Sequence, residues 1–255
     1  AFNTAVAQFS AAWEHAVKTG IIPDQTKIST DLQAISRPHW RIDKVAGRVR
    51  RTSSNPLSLN AIAKGVILDK VAAKVLNSST NIKGLMLNIG GDIRVAGEIT
   101  VNVEIADPGH DAIGSTNLSS IILKKGAVAT SGSTERYYDV AGRSFSHIID
   151  PRSGQPVDET ISATVLAQDA RTADVVATIC GVLSTAESIR FVNSISGVEC
   201  LIKTATGIVA TSTNWPQKAN QKDSQTATKE KQALPEMLVQ FEIAKPQDSR
   251  RYRRP

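Results

Sequence analysis

The stretch GLMLNIGGDIRVAGEITVNVEIADP, residues 84–108, decides the fold class of this chain. Its apolar residues come in short runs and alternations, and Gly90 and Gly91 break the first run from the second. Such a pattern predicts one strand, a break at the two glycines and then two further strands. We therefore expect a strand-rich core that begins near residue 84.

Helices are predicted on both sides of this block. The clearest is SLNAIAKGVILDKVAAKVLNSS, residues 58–79, which has an apolar face at helical spacing and Ser58 or Asn60 as a possible N-cap. Further helices are predicted over residues 3–18, about 172–183 and 185–195.

More strands follow residue 108. We predict a strand pair over 119–132, a hairpin over 134–151 that turns at Ala141–Gly142, an alternating strand over 159–168 and a closing hairpin over 197–211. Strands and helices are mixed without a strict βαβ rhythm, which favours the α+β class over a doubly wound parallel sheet.

Composition and charge disfavour several classes of protein. The chain has 255 residues, of which 41% are hydrophobic and 21% are charged, as in globular domains. No apolar run approaches the roughly 18–20 residues of a membrane-spanning helix. Residues 217–255 carry +4 of the net charge of +6, so residues 1–216 are close to neutral and no nucleic-acid partner is expected. Cys180 and Cys200 lie in separate apolar runs, which favours buried thiols over a zinc site.

Two glycine motifs are candidates for contact with a nucleotide. In NIGGDI, residues 88–93, the glycines form a bulge or tight turn, or they let the backbone approach a ligand. In AIAKG, residues 61–65, Lys64 and Gly65 fall in the opening turns of a predicted helix, where the helix dipole and the lysine charge attract phosphate. The alternative for Lys64 is a solvated lysine on an amphipathic helix.

The motif TADVVAT, residues 172–178, is a candidate Mg²⁺ site. Asp174 and Thr178 are four residues apart and so share one helix face, and their oxygens are hard ligands that Mg²⁺ accepts. The alternative is structural, with Thr172 as the N-cap and Asp174 favouring the helix dipole. His147 in SHIIDPR, taken alone, is more typical of a packed or hydrogen-bonded histidine than of a catalytic one.

Five motifs together resemble one family. AIAKG, NIGGDI, ATSG, HIIDPRSGQP and TADVVAT occur in the order and at the spacing of the ApbE family, the FAD:protein FMN transferases (flavin transferases). The opening AFNTAV also resembles a family segment, usually Ala-Phe-Asp, that lies near the flavin nucleotide. The similarity runs from residue 1 to about residue 213.

The resemblance implies both a fold and a reaction. The fold would be ApbE-like, α+β, with mixed antiparallel sheets and flanking helices. The enzyme would bind FAD with Mg²⁺ at the pyrophosphate, move the FMN half onto a Thr or Ser hydroxyl of an acceptor flavoprotein and release AMP. Some members instead hydrolyse FAD to FMN and AMP. The family is typically periplasmic or membrane-anchored, so we expect a location facing the periplasm, with any membrane contact made by an anchor upstream of Ala1.

The resemblance also assigns roles to individual residues. Asp174 and Thr178 match the metal-binding acid and hydroxyl, and Ala61 matches a position that offers its backbone carbonyl to the metal. His147 matches the histidine proposed to aid proton transfer from the acceptor hydroxyl, and Asp174 is a second candidate base. Contacts to FAD are implied for Ala1, Phe2, Asn3, Ser58, Lys64 and Ile149.

Three positions depart from the family pattern. Ser58 and Asn60 stand where the family usually has an acid and a glycine, and Asn3 stands where it has Asp. The changes at Ser58 and Asn3 remove carboxylates near the nucleotide. Two alternatives therefore accompany FMN transfer: an FAD pyrophosphatase that uses water as acceptor, and a flavin-nucleotide-binding module without catalysis.

The C-terminal residues predict a change of domain. Residues 217–232 are polar and free of aromatics, which is typical of a linker, and 237–245 then alternate like a strand. We predict an ApbE-like domain over 1–213, a linker over 214–234 and the start of a second domain over 235–255. Because the family has a further stretch before AFN that forms part of the flavin-ring pocket, we expect the chain to be truncated at both ends.

Overall fold

The structure of the protein is a computed structural model that describes residues 1–108, 117–132, 137–216 and 238–243. Helices and strands are mixed along this chain, and the predicted α+β class is confirmed. The helices are α1 (Ala7–Thr19), α2 (Gln25–Ile35), α3 (Ala63–Ser78), α4 (Ala170–Val182) and α5 (Thr185–Asn193). The strands are β1 (Trp40–Asp43), β2 (Arg48–Arg51), β3 (Gly84–Ile89), β4 (Asp92–Gly97), β5 (Val101–Ile105), β6 (Ser119–Leu123), β7 (Gly126–Gly132), β8 (Tyr137–Val140), β9 (Arg143–Ser146), β10 (Thr160–Ala167), β11 (Glu199–Thr204), β12 (Val209–Thr211) and β13 (Leu238–Ile243).

The central sheet has seven strands in the order β12-β11-β10-β7-β4-β3-β13. Neighbouring strands are antiparallel except for β13, which pairs with β3 in parallel. In the β3–β4 hairpin, Ile89 lies opposite Asp92, while Gly90 and Gly91 form the turn with φ of +59° and +95°. Positive φ at both turn positions is the geometry of a type I′ hairpin, which glycine adopts readily. The glycines of NIGGDI therefore make a tight turn, and Asp92 is the first residue of β4.

Helices α3 and α4 cover one face of this sheet. The core that they share with the strands is rich in small side chains, and small side chains let a helix lie close to the strands beneath it. Buried members of this core include Ala72, Ala127, Ala129, Ala163, Ala173 and Ala177. The opposite face packs against the β5–β6 pair, toward which alternate residues such as Val95 and Val128 point.

The N-terminal helices form a third buried cluster. Phe9 and Trp13 of α1 are buried with residues of α2 and of the β8–β9 hairpin. The ring of Trp13 lies 4.9 Å from that of Phe145, centroid to centroid. This cluster also contains Ile149, so α1 packs directly against the segment that follows β9.

Two helices begin at other residues than the sequence predicts. Helix α3 begins at Ala63 instead of residue 58, and its N-cap position, Ile62, makes no side-chain cap. Ser58 instead accepts a hydrogen bond from the Asn60 N–H in the preceding turn (3.2 Å). Helix α4 is capped by Asp169, which accepts from the Thr172 N–H (2.8 Å), so Thr172 lies in the first turn and is not the cap.

Several other predictions concern the whole chain. No helix within the described ranges is long and apolar enough to cross a membrane. Cys180 of α4 and Cys200 of β11 are both buried in the core, as predicted. Most of the predicted linker and residues 244–255 lie outside the described residues. Residues 238–243 extend the central sheet, and the assignment of 235–255 to a second domain stays a prediction.

Candidate active site

A close contact between α3 and α4 is the centre of the candidate site. A Cβ atom added to Gly65 would lie 2.3 Å from the carbonyl oxygen of Ala170, so only glycine fits here without a shift of backbone. The Gly65 N–H donates to the Asp174 carboxylate (N to Oδ2, 3.0 Å). The cost of a glycine inside a helix is about 1 kcal/mol relative to alanine, and it is offset here by this approach of the two helices.

Asp174 is a buried carboxylate held by a backbone donor. It is only 5% exposed. Burial raises the pKa of Asp174 above its usual value, while the Gly65 N–H and the Lys64 ammonium act in the opposite direction and favour the charged form. A carboxylate in such a place gains from a further cation, because its charge is poorly solvated.

Lys64 joins a second buried carboxylate to the same cluster. Its Nζ lies 2.5 Å from Oδ2 of Asp92, and the Asp92 side chain is 2% exposed whereas that of Lys64 is 39% exposed. Burial raises the pKa of Asp92 to about 6; Lys64 opposes this rise, and the nearby Asp174 charge adds to it. Asp92 was not predicted as a site residue, because the interpretation of NIGGDI rested on its two glycines. An acid placed directly after a two-glycine hairpin turn was the available signal.

The other predicted metal ligands lie within a turn of these groups. Thr178 follows Asp174 by one turn of α4, and its hydroxyl donates to the Asp174 carbonyl (3.2 Å). Ala61 lies in the turn before α3. In a regular helix the Gly65 N–H would point at the Ala61 carbonyl, four residues earlier, whereas here it donates to Asp174. No group of three or more His, Cys, Asp or Glu side chains that could hold a metal ion occurs within the described residues.

The chain's first residues lie beside the turn before α3. The Ser58 N–H donates to the Thr4 carbonyl (2.7 Å), which joins the N-terminal segment to the chain just before this turn. Asn3 uses its side chain structurally, accepting from the Ala5 N–H (2.9 Å) and donating to the Ile35 carbonyl (3.2 Å). Ala1, Phe2 and Ser58 are partly exposed, and their predicted contacts to FAD stay predictions.

His147 and Ile149 flank Ile148, which packs against the other end of α4. A Cβ atom added to Gly181 would lie 3.2 Å from the Ser131 hydroxyl and 3.6 Å from the Ile148 side chain, so the segment after β9 packs against the last turn of α4. His147 is half-buried next to Ile148, whereas Ile149 is 4% exposed within the α1 cluster. The catalytic role of His147 and the flavin contact of Ile149 stay predictions.

Two open cavities flank this arrangement. One of about 270 Å³ lies where the loop after His147 meets the end of α4 and the start of α5, and it is lined by Asp150, Arg152 and Glu187 among others. The other, of about 350 Å³, lies between α3, β4 and the start of α4. Lys64, Asp92 and Asp174 line neither of these two cavities.

Comparisons with known proteins point to one family. The protein-family model described as the ApbE family matches residues 1–202. A curated relative named FAD:protein FMN transferase from Klebsiella pneumoniae (strain 342) is 31% identical over 182 residues, which cover 70% of this chain and 55% of the relative. A protein of the same name from Rhodobacter capsulatus is 38% identical over 133 residues, which cover 49% of this chain and 24% of the relative. The chain thus spans about half of the first relative's length and a quarter of the second's.

Solved structures agree on the fold. The crystal structure of the ApbE protein from Thermotoga maritima matches with a TM-score of 0.68 and 28% identity, covering 83% of this chain and 69% of that one. The apo flavinyl transferase ApbE from Pseudomonas stutzeri matches with a TM-score of 0.62 at 20% identity, covering 83% of this chain and 67% of that one, and this likeness shows the fold alone.

Proposed function

The chain belongs to the ApbE family, and from that premise we propose that it transfers the FMN half of FAD to a Thr or Ser hydroxyl of an acceptor flavoprotein, with Mg²⁺ as cofactor and AMP as the second product. The relatives' names support FAD as the substrate and flavinylation as the reaction class. The observation that carries the proposal is the contact at Gly65, which places Lys64 and Asp174 side by side although 109 residues separate Gly65 from Asp174.

The residues present fit a magnesium ion. Asp174, Thr178 and the Ala61 carbonyl are hard oxygen donors of the type that Mg²⁺ prefers. Asp174 is also a buried carboxylate that gains from a cation beside it. When bound, Mg²⁺ would neutralise pyrophosphate charge and make the phosphorus easier to attack.

Lys64 and the start of α3 suit the phosphate groups of the dinucleotide. Lys64 is the second residue of the helix, where the dipole favours an anion, and its ammonium adds a full positive charge. The charge of the folded part supports the same substrate, because residues 1–216 carry a small positive net charge that does not repel FAD.

The proposed reaction is a substitution at phosphorus. The acceptor hydroxyl oxygen forms a bond to the FMN phosphorus, the bond from that phosphorus to the bridging oxygen breaks, and AMP leaves with that oxygen. The hydroxyl proton goes to a base, for which His147 and Asp174 are the candidates. Ile148, the residue after His147, packs against Gly181 in the last turn of α4, and Asp174 lies about two turns before Gly181 on the same helix.

Incubation of the chain with FAD, Mg²⁺ and a Thr-containing acceptor flavoprotein tests the proposal. Mass spectrometry of the acceptor should show covalent FMN, and chromatography should show an equal amount of AMP. Free FMN with AMP and an unmodified acceptor would assign the chain as an FAD pyrophosphatase. FAD binding without turnover would assign it as a binding module, which the departures at Asn3 and Ser58 would then explain.

A location facing the periplasm, which the resemblance to the family implies, is part of the proposal. Fractionation of cells that express the full reading frame tests it. Recovery of the protein with a cytoplasmic marker would contradict this part while leaving the proposed chemistry intact.

A further inference from the structure

Asp92 is a carboxylate that the proposed reaction does not use. It is the first residue of β4, directly after the glycine turn, and its side chain is 2% exposed. A charged group in such a place is strongly destabilising unless it is paired and hydrogen-bonded. The partners of Asp92 must therefore compensate for the burial of its charge.

The partners of Asp92 come from two other elements. Oδ2 lies 2.5 Å from Nζ of Lys64 on α3, and Oδ1 accepts a hydrogen bond from the Thr130 N–H on β7 (3.4 Å). The β7 contact fixes the carboxylate relative to the sheet. The ion pair then fixes the lysine head group relative to the same sheet.

The lysine is held at both ends. Next to its backbone, the Gly65 N–H donates to Asp174. Its ammonium, at the far end of a flexible four-carbon chain, meets Asp92, yet 39% of the side chain stays exposed. A charge anchored on a buried group but open to solvent is suited to bind an incoming anion, because less side-chain entropy is lost on binding.

We infer that Asp92 is a positioning residue that holds the Lys64 ammonium at the start of α3 for the pyrophosphate of a dinucleotide. This inference rests on the proposed function for the choice of FAD as ligand. Asp92 itself does not touch the substrate, and it acts through Lys64.

The direction of the change in FAD affinity distinguishes a positioning role from a purely electrostatic one. Removal of a negative charge from the site would by itself strengthen the binding of an anion. A loss of lysine positioning would weaken it instead. Asp92→Asn is therefore expected to weaken FAD binding by roughly tenfold, the size of one charge-assisted contact.

Titration calorimetry with FAD and Mg²⁺ tests this on the full chain without an acceptor, for wild type, Asp92→Asn, Lys64→Met and the double variant. If Asp92 acts through Lys64, the double variant should bind FAD no more weakly than Lys64→Met alone. Unchanged or tighter binding by Asp92→Asn, or additive losses in the double variant, would overturn the inference. Should Asp92→Asn not fold, Asp92→Glu takes its place, because it keeps the charge and displaces the carboxylate by one methylene group.

Asp107→Asn is the matched control. Asp107 pairs with Lys203 in another mostly buried Lys–Asp ion pair, joining the end of β5 to β11. Its loss should lower the melting temperature and leave the FAD affinity unchanged; an equal loss of affinity would reduce Asp92 to a general structural role. A wild-type chain that binds FAD but transfers nothing would contradict the proposed function alone, and one that does not bind FAD would overturn both.

Discussion

Gly65 shows how one residue decides the geometry of the site. An added methyl group would lie 2.3 Å from the Ala170 carbonyl oxygen, and a backbone atom cannot turn aside as a side chain can. We expect Gly65→Ala to lower the free energy of unfolding by about 1–3 kcal/mol, as overpacking does, and to weaken Mg²⁺-dependent FAD binding. Urea unfolding and calorimetry measure the two effects.

Gly181→Ala provides the graded comparison. The same test atom would lie 3.2 Å from the Ser131 hydroxyl, which can rotate away. Its effect on stability should be smaller. Equal losses in the two variants would mean that the Gly65 contact has no special role.

Asp174 has a structural and a chemical role that one substitution separates. Asp174→Asn keeps an oxygen that can accept from the Gly65 N–H but removes the charge that a metal requires. We expect Mg²⁺-dependent turnover to fall by at least about 100-fold with little change in melting temperature. Full activity in this variant, measured as AMP release, would remove Asp174 from the metal site.

His147 belongs to the proposed chemistry and not to the proposed nucleotide binding. His147→Ala should slow FMN transfer by roughly 100-fold or more, the usual contribution of a general base, and should change the FAD dissociation constant far less. Single-turnover transfer rates and calorimetry distinguish the two. An unchanged transfer rate would leave Asp174 as the candidate base.

At the scale of elements, the start of α4 is fixed by a carboxylate from another helix. Asp69 of α3 accepts from the Ala170 N–H (2.9 Å) and the Arg171 N–H (3.0 Å), and Arg94 of β4 donates to the same carboxylate (3.0 Å). Asp169 accepts from the Thr172 N–H within α4 itself. Because two acids satisfy the first N–H groups, α4 is held in the orientation that presents Asp174 to Gly65.

This double cap predicts that local stability and binding are coupled. Asp69→Ala should lower the free energy of unfolding by about 1–2 kcal/mol, as the loss of a cap does, and should also weaken FAD binding. Asp24→Ala is its control, because Asp24 caps α2 through the Lys27 N–H (2.7 Å). The control should lose similar stability and keep its FAD affinity; a loss of affinity in both would show that binding follows stability alone.

At the scale of the whole molecule, the burial of Asp92 makes stability depend on pH. Its pKa of about 6 in the folded chain lies above its unfolded value, so the folded state holds the proton more tightly. The stabilisation from this proton is complete below about pH 4 and is lost as the pH rises through 6. From pH 4 to pH 7 the expected loss is on the order of 2–3 kcal/mol.

Urea unfolding in EDTA at pH 4.5 and pH 7 should show this dependence, because the two pH values lie below and above the folded-state pKa of Asp92. Asp92→Asn removes the titrating group. Relative to wild type, the variant should therefore have a lower free energy of unfolding at pH 4.5 than at pH 7. The same pH difference in wild type and variant would show that Asp92 keeps its usual pKa in the folded chain.

Local patterns alone determined much of this protein. The two glycines of NIGGDI predict the β3–β4 turn, and the spacing of Asp174 and Thr178 predicts a shared helix face, because turn geometry and helical period depend on the nearest residues in the chain. The helix starts at Ala63 and Ala170 were predicted less well. The cap of α4 and the acceptor for the Gly65 N–H come partly from distant carboxylates.

Tertiary structure alone decided the strand order, the burial of Ile149 in the α1 cluster and the Lys64–Asp92 pair. Each depends on how helices and strands far apart in the chain pack against each other, and no local period encodes that. The chemistry of the candidate site also depends on this long-range packing. Lys64, Asp92 and Asp174 come from three separate elements, and they meet because small side chains and Gly65 let α3 and α4 lie close to each other and to the sheet.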